Sequence, residues 1–167
     1  MQYRLVYEDS DGYCKIVVPD PKFQQIRENT DQAVLRLRNA AIPDVVEFFA
    51  VLPEFIPDDL TFRDAWKKGD IHEPIKIDFH KAIAIHRQRL KEAALRKIEQ
   101  LEEEYPAAVK RDNKAEQVAI RRTQEALKKF HEANLTHCKT IEDLKYAIPR
   151  ELRDVWSAYE PIASKGF

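Results

Sequence analysis

The first eighteen residues have the pattern of two short strands that flank a turn. In residues 3–8 the tyrosine and leucine side chains fall at every second position, and residues 13–18 are again rich in aromatic and β-branched types. Between them, residues 9–12 form a turn sequence that ends in glycine, which tolerates positive φ. The pattern predicts a β-hairpin. A lone hairpin is marginal in water, so a further strand or a helix must cover it.

Two later segments can supply that cover. Residues 23–41 place apolar side chains at helical spacing, with Thr30 or Asp31 as the N-cap. Residues 45–52 are strongly apolar and suit a third, buried strand; a short buried helix is the alternative, because periodicity does not separate the two. Residues 60–67 then predict a short helical turn.

The second half of the chain has the periodicity of long helices. Residues 79–105 contain neither Gly nor Pro, and we expect Pro106 to end or kink the helix that they form. Their apolar stripe has spacings of 4, 4, 3 and 4 and consists of Leu90, Ala94, Ile98, Leu101 and Tyr105. Residues 113–133 predict a second helix, because Asn113 and Glu116 resemble a capping box.

Charge near the linker favours folding these two helices back on each other. Acids close the first helix, at Glu99, Glu102, Glu103 and Glu104, and bases open the second, at Lys110, Arg111 and Lys114. Each exposed pair contributes only about 0.2–1 kcal/mol. We therefore expect an antiparallel, coiled-coil-like pair. The side chains expected to be buried between the helices are Leu90, Ile98, Leu101, Leu127 and Phe130.

The predicted fold class is α+β. A small N-terminal antiparallel β-unit with a helix comes first, and a long antiparallel helical hairpin follows. Short C-terminal helices are expected to start at Thr140 and at Pro149, the last one running to about residue 159. The predicted domains are residues 1–70 and residues 71–167.

Composition narrows the functional classes. Apolar residues make up 44% of the chain, enough for a real core, and the net charge of -1 gives no global field that would attract nucleic acid or an anionic membrane. Cys14 and Cys138, the two cysteines, are far apart, which favours reduced thiols in a cytosol over a disulfide. Neither a signal peptide nor a membrane-spanning run is recognised. We expect a protein that is made and kept in a cytoplasm.

Two stretches resemble segments of small bacteriophage and prophage proteins. Residues 56–66, IPDDLTFRDAW, are similar to their IP-x-D-x-TFR-x-AW segment, and residues 77–87, IDFHKAIAIHR, are similar to the start of their long helix. In those proteins a short β-rich unit comes first, the TFR-x-AW segment closes it and a helical hairpin follows. This chain differs in its longer helices and in Pro106. The resemblance implies a protein of the phage tail module, in the bacterial host cytoplasm or in the virion. It supplies no catalytic residues.

Five residues are candidates for binding a protein partner. Phe62, Arg63 and Trp66 combine aromatic anchors with a charge, and such residue types dominate binding hot spots. The alternative, which we favour, is that Phe62 and Trp66 pack against the sheet. Lys128 and Lys129 lie on the expected solvated face of the hairpin. A second expected surface is the sheet edge beside residues 3–7, where an added strand can pair.

The basic side chains of the second helix are also candidates for touching phosphates. They are Lys110, Arg111, Lys114, Arg121, Arg122, Lys128 and Lys129. Glu116 and Glu125 interrupt the patch, so pairing with the acids of the first helix and with water is the favoured interpretation, and nucleic acid is not an expected partner.

Histidines supply the candidate metal ligands. If the chain turns near residues 108–111, the open end of the hairpin gathers His80, His86, His131, His137 and Cys138, which are ligand types that zinc prefers. The first two are six residues apart and point to different sides of a helix, so ordinary polar or packed histidines are the favoured interpretation. No cofactor is expected.

No recognised catalytic motif accompanies these residues. The chain contains no GxSxG, Walker, GxGxxG or HExxH element, so we do not expect an enzyme. The leading hypothesis is a tail-fibre assembly factor (a chaperone) or a small virion tail component that acts by protein–protein binding. Self-association is a further expectation, because Leu95, Ile85 and Ala119 lie off the main seam and either the last helix, residues 151–156, or another copy has to cover them. The alternative hypotheses are an accessory protein that inhibits a host or defence protein, and a nucleic-acid binder.

Overall fold

The computed structural model describes residues 3–18, 30–42, 46–130 and 135–156. The chain divides into two compact units, Met1–Asp78 and Phe79–Phe167. The predicted α+β class is confirmed, with small antiparallel sheets in the first unit and a long helical hairpin with short helices in the second.

A three-stranded antiparallel sheet forms the base of the first unit. Its strands are β1 (Arg4–Glu8), β2 (Cys14–Val17) and β3 (Phe48–Val51), in the order β2-β1-β3. The predicted hairpin is β1 and β2. Its turn is held by Asp9, whose Oδ1 accepts from the backbone N–H of Tyr13 at 2.8 Å, while Gly12 takes a φ of 75°.

The third strand was expected, but its place in the sheet corrects one prediction. Because β3 pairs with β1 on the side opposite β2, β1 is the central strand, and the expected free edge beside residues 3–7 does not exist. The helix predicted to follow an N-cap at Thr30 or Asp31 is α1 (Thr30–Ala41); residues 23–29 of the segment lie outside the described residues.

Residues 60–67 do not form the predicted helical turn throughout. Only Arg63–Ala65 makes a turn of 3₁₀ helix, and Trp66 then begins a strand. Strand β4 (Trp66–Lys68) pairs antiparallel with β5 (Ile75–Ile77), and neither strand was expected from the sequence. Three-residue strands are too short for their alternation to stand out from loop sequence.

The loop between β4 and β5 is tight. Gly69 donates to the carbonyl of Pro74, and Asp70 Oδ1 accepts from the backbone of His72 and Glu73 at 3.0 Å each. A Cβ at Gly69 would stand 1.9 Å from the carbonyl oxygen of Glu73, so only glycine fits. In the sequence, this turn is indicated by Gly69, Asp70 and Pro74, which are residue types typical of turns.

The core of the first unit joins both sheets. It contains Val6, Val51, Trp66 and Ile75. Leu5 and Val6 are both fully buried although adjacent strand residues point to opposite faces, so side chains cover β1 on both sides.

The second unit begins with α2 (Phe79–Lys110), which continues through Pro106 instead of ending there. Because proline has no backbone N–H, α2 lacks the hydrogen bond from Pro106 to the carbonyl of Glu102, four residues earlier. Glu102 is exposed, so water can take the place of the lost donor, and the alanines at 107 and 108 favour continuing the helix. Of the two expectations for Pro106, an end or a kink of the helix, the end is therefore wrong; the predicted hairpin is present.

The chain reverses at residues 111–113. Asp112 takes a φ of 50°; its N–H bonds to the carbonyl of Val109, and the N–H of Asn113 bonds to that of Ala108. These two bonds form a Schellman motif with aspartate at the left-handed position. Asn113 Oδ1 then accepts from the N–H of Glu116 at 3.2 Å and caps α3 (Lys114–Phe130), as expected.

Short helices complete the second unit. They are α4 (Ile141–Tyr146) and α5 (Arg153–Trp156). The helix expected to start at Thr140 is capped by that residue, and both hydrogen bonds of a capping box with Asp143 are present. Pro149 precedes a 3₁₀ turn, Arg150–Leu152, instead of opening the last helix directly, and the predicted extension to residue 159 lies outside the described residues.

Candidate interaction surface of the helical hairpin

The seam between α2 and α3 is closed by the hairpin's own side chains. The buried seam residues are Leu90, Ile98, Leu101, Ile120 and Leu127. Across the seam, Gln117 Nε2 donates to the carbonyl of Ala108 at 3.3 Å, and the Arg121 guanidinium lies 4.6 Å from the centre of the Tyr105 ring. The predicted burial is confirmed for all its members except Phe130, whose side chain is outside the described part of the chain.

Outside the seam, α3 presents mainly positive charge. Its exposed bases are Lys114, Arg121, Arg122, Lys128 and Lys129. The charge pair seen at the turn differs from the predicted one: Arg111 Nη2 lies 2.8 Å from Glu116 Oε1 at the start of α3, not from the acids near the end of the first helix, and Lys110 is the last residue of α2 instead of opening α3. Lys128 and Lys129, two of the predicted partner-binding residues, are exposed and open to a partner.

Three large apolar side chains of the hairpin are exposed to a similar degree. The exposed fraction is 46% for Leu95, 48% for Val109 and 50% for Val118. Leu95 was expected from the sequence to lie off the seam and to be covered by the last helix or by another copy, whereas Val109 and Val118 were not singled out. In the sequence, each of the three lies outside the apolar stripe of the seam and has charged residues at neighbouring positions of its helix.

The TFR-x-AW segment serves the core of the first unit. Phe62 is 0% and Trp66 2% exposed, so neither side chain is available as a surface anchor in this conformation. Arg63, the third residue of that predicted site, is exposed. The apolar positions of the segment are therefore explained by folding.

The candidate metal ligands do not gather. His86 is buried, and its Nε2 lies 3.1 Å from the carbonyl oxygen of Ala147, to which Nε2–H donates. His80 and His137 are exposed, and His131 is outside the described residues. Among the residues that the structure describes, no three His, Cys, Asp or Glu side chains form a set that could hold a metal ion.

The pKa values of the two thiols are shifted upward, and that of the Asp70 carboxyl is shifted downward. Burial raises the pKa of the Cys14 thiol to about 11, and desolvation with the Asp143 carboxylate raises that of Cys138. Lys76, with Nζ 2.7 Å from Asp70 Oδ2, and two backbone N–H groups lower the pKa of Asp70 to about 2. A nucleophilic thiol needs a lowered pKa, which neither cysteine has.

The C-terminal helices are fastened to one flank of α2. Leu144 and Leu152 are fully buried. The Trp156 ring contacts the His86 ring edge-on with 5.4 Å between centroids, and Lys97 Nζ lies 2.7 Å from Asp154 Oδ2. This flank is therefore occupied within the chain.

No helix in the described ranges is both long and apolar enough to cross a membrane. The chain matches no protein-family model, no curated protein and no solved structure with which it was compared.

Proposed function

We propose that this chain is an interaction protein of a bacteriophage tail module. It acts by binding, as a tail-fibre assembly factor or as a small component of the virion tail, in the host cytoplasm or in the virion. The observation that carries the proposal is the surface of the hairpin. Its seam is closed by its own residues, while bases and half-exposed apolar side chains line the helices outside the seam.

Such a surface suits a factor that covers an adhesive segment of another protein. Burial of apolar side chains supplies binding energy, and charge supplies specificity and orientation. The order of parts also supports the proposal, because the small β-unit, the IPDDLTFRDAW segment and the helical hairpin follow one another as in the phage proteins that the sequence resembles. The proposal includes association between copies of the chain and involves no catalysis.

Affinity capture tests the proposal. The tagged full-length chain is expressed in the bacterial host, the cells are infected, and the proteins retained from the lysate are identified and compared with those from uninfected cells. We expect a tail or tail-fibre protein that also binds the purified chain. A host nuclease, polymerase or defence protein in its place would support an inhibitor instead, and the retention of no protein would count against a binding function.

A further inference from the structure

The half-exposed apolar residues of the hairpin belong to two regular stripes. The stripe on α2, called the acidic stripe, has spacings of 4, 3, 4 and 3 and consists of Leu95, Glu99, Glu102, Pro106 and Val109. The stripe on α3, called the basic stripe, has the same spacings and consists of Lys114, Val118, Arg121, Glu125 and Lys128. All ten residues are exposed. Each stripe covers about 21 Å of helix.

Both stripes lie on the same face of the hairpin, called the front face. On each helix, the stripe lies about a third of a turn around the helix axis from the seam residues. The rotation from seam to stripe has the same sense on both helices when each helix is viewed from its own N-terminus. For antiparallel helices this puts the two stripes on one side of the pair. Arg121 of the basic stripe accordingly contacts the ring of Tyr105 on α2.

The C-terminal helices leave the front face uncovered. They reach α2 through His86 and Lys97, and the same spacing places these residues on the other side of the seam from Leu95. The front face therefore combines exposed apolar side chains with acids on one helix and bases on the other.

We propose that two copies of this chain associate through their front faces, as a closed two-fold dimer in which the acidic stripe of each copy lies against the basic stripe of the other. A two-fold contact requires a surface that complements itself. The front face meets that requirement. When one copy is related to the other by a rotation of about 180° about an axis parallel to the helices, the two front faces oppose each other and α2 of each copy lies over α3 of the other.

The side chains match in this arrangement. Within the hairpin, Ala108 lies opposite Gln117 and Tyr105 opposite Arg121. The same register between copies sets Val109 of one copy beside Val118 of the other. It also brings Glu99 and Glu102 of one copy to the level of Arg121 and Lys128 of the other. Glu125, the one acid of the basic stripe, lies between these two bases and close to both acids, so it reduces the attraction without reversing the opposite overall charge of the two stripes.

The contact is small, so the dimer is weak and depends on concentration and salt. Two helices per copy meeting over about four turns bury less than the roughly 1,200–2,000 Å² of stable complexes. Ion pairs at an exposed interface are screened as salt rises. The inference rests on the part of the proposed function in which copies of the chain associate, and it names the face that they use.

Charge exchange tests the pairing on the purified full-length chain. The first variant, Glu99→Lys/Glu102→Lys, has two basic stripes, and the second, Arg121→Glu/Lys128→Glu, has two acidic ones. Each variant alone should dimerise at least about tenfold more weakly than the wild type, because attraction becomes repulsion. An equal mixture should form heterodimers again, because each contact then joins opposite charges. The readout is the mass from sedimentation equilibrium, relative to 19.6 kDa for one chain.

Arg122→Glu/Lys129→Glu is the matched control, with the same residue types on the same helix but outside the front face. It should dimerise as the wild type does, and circular dichroism should show every variant folded. Three results would each overturn the inference: a wild type that stays monomeric at up to about 1 mM, a control that dimerises as weakly as the second variant, and a mixture that stays monomeric. A monomer that still captures a tail protein contradicts only this inference, whereas a dimer that captures none contradicts only the tail function.

Discussion

The two units bury their apolar residues in contrasting ways. The first unit combines short strands and a loop into a core around large aromatic side chains, with Phe62 and Trp66 almost wholly enclosed. The second unit closes a long seam with aliphatic side chains and leaves most of its helical surface exposed. The most distinctive sequence of the chain, IPDDLTFRDAW, thus contributes its aromatic residues to a core. The less distinctive helices carry the surface on which binding depends.

The largest expected effect is in the aromatic core of the first unit. Phe62→Ala should lower the free energy of unfolding by about 3–5 kcal/mol, because it removes a fully buried aromatic ring and leaves a cavity. Chemical unfolding, followed by Trp66 fluorescence in a Trp156→Phe background, measures it. Phe55→Ala is the matched control, since Phe55 is 51% exposed and should change stability by only about 0.5 kcal/mol or less. Equal losses would show that Phe62 is not a core residue.

The seam of the hairpin should respond nearly as strongly. Leu101→Ala should cost about 2–5 kcal/mol, since Leu101 is buried between α2 and α3. Leu95→Ala, the same substitution on the exposed side of the same helix, should cost about 0.5 kcal/mol or less. Helical circular dichroism during urea unfolding, at a concentration too low for self-association, compares the two. A small loss for Leu101→Ala would contradict the observed seam.

Acid should weaken the flank on which the C-terminal helices rest. Burial lowers the pKa of His86 and Arg89 lowers it further, whereas the hydrogen bond to the Ala147 carbonyl acts in the opposite direction. The unfolded chain therefore takes up a proton more readily, and the stability due to His86 is fully present above its unfolded pKa of about 6.5 and declines as pH falls below it. His86→Gln should flatten this part of the curve of unfolding free energy against pH. Identical curves for His86→Gln and the wild type would contradict the assignment.

A smaller gain is expected at the hairpin turn. Asp112 is the only non-glycine residue with positive φ among those described. Asp112→Gly should stabilise the chain by up to about 1 kcal/mol, because relief of the left-handed strain exceeds the added freedom of the unfolded chain. Asp112→Ala should be destabilising, since it keeps the Cβ and loses the polar side chain that tolerates this conformation. Thermal unfolding of the three chains should rank Gly above Asp and Asp above Ala.

The contrast also explains which features were predictable. Long helices repeat their signal over many turns, so the seam residues Leu90, Ile98 and Leu101 could be named from spacing alone. The end of α2 was misplaced because the local effect of Pro106 depends on exposure, which spacing does not reveal. Strands β4 and β5 were missed because three residues hold little alternation, and the central place of β1 depends on pairing between residues far apart in sequence.

The candidate surface was only partly predictable, for a related reason. Lys128 and Lys129 stood out as bases on a polar face, and both are exposed. The front face went unrecognised because it exists only once two helices are antiparallel and in register. Conversely, Phe62 and Trp66 have residue types common to cores and binding sites, and only the fold distinguishes the two.

Partner capture by surface variants of the full chain tests most directly the claim that the hairpin carries the binding surface. Lys128→Glu/Lys129→Glu changes two exposed residues of α3, and Arg63→Glu changes an exposed residue of the first unit. Both should leave stability within about 0.5 kcal/mol of the wild type. In capture from infected cells, the account predicts that wild type and Arg63→Glu retain the same tail or tail-fibre protein, while Lys128→Glu/Lys129→Glu retains much less of it. Undiminished capture by the lysine variant, or its loss with Arg63→Glu alone, would contradict that claim.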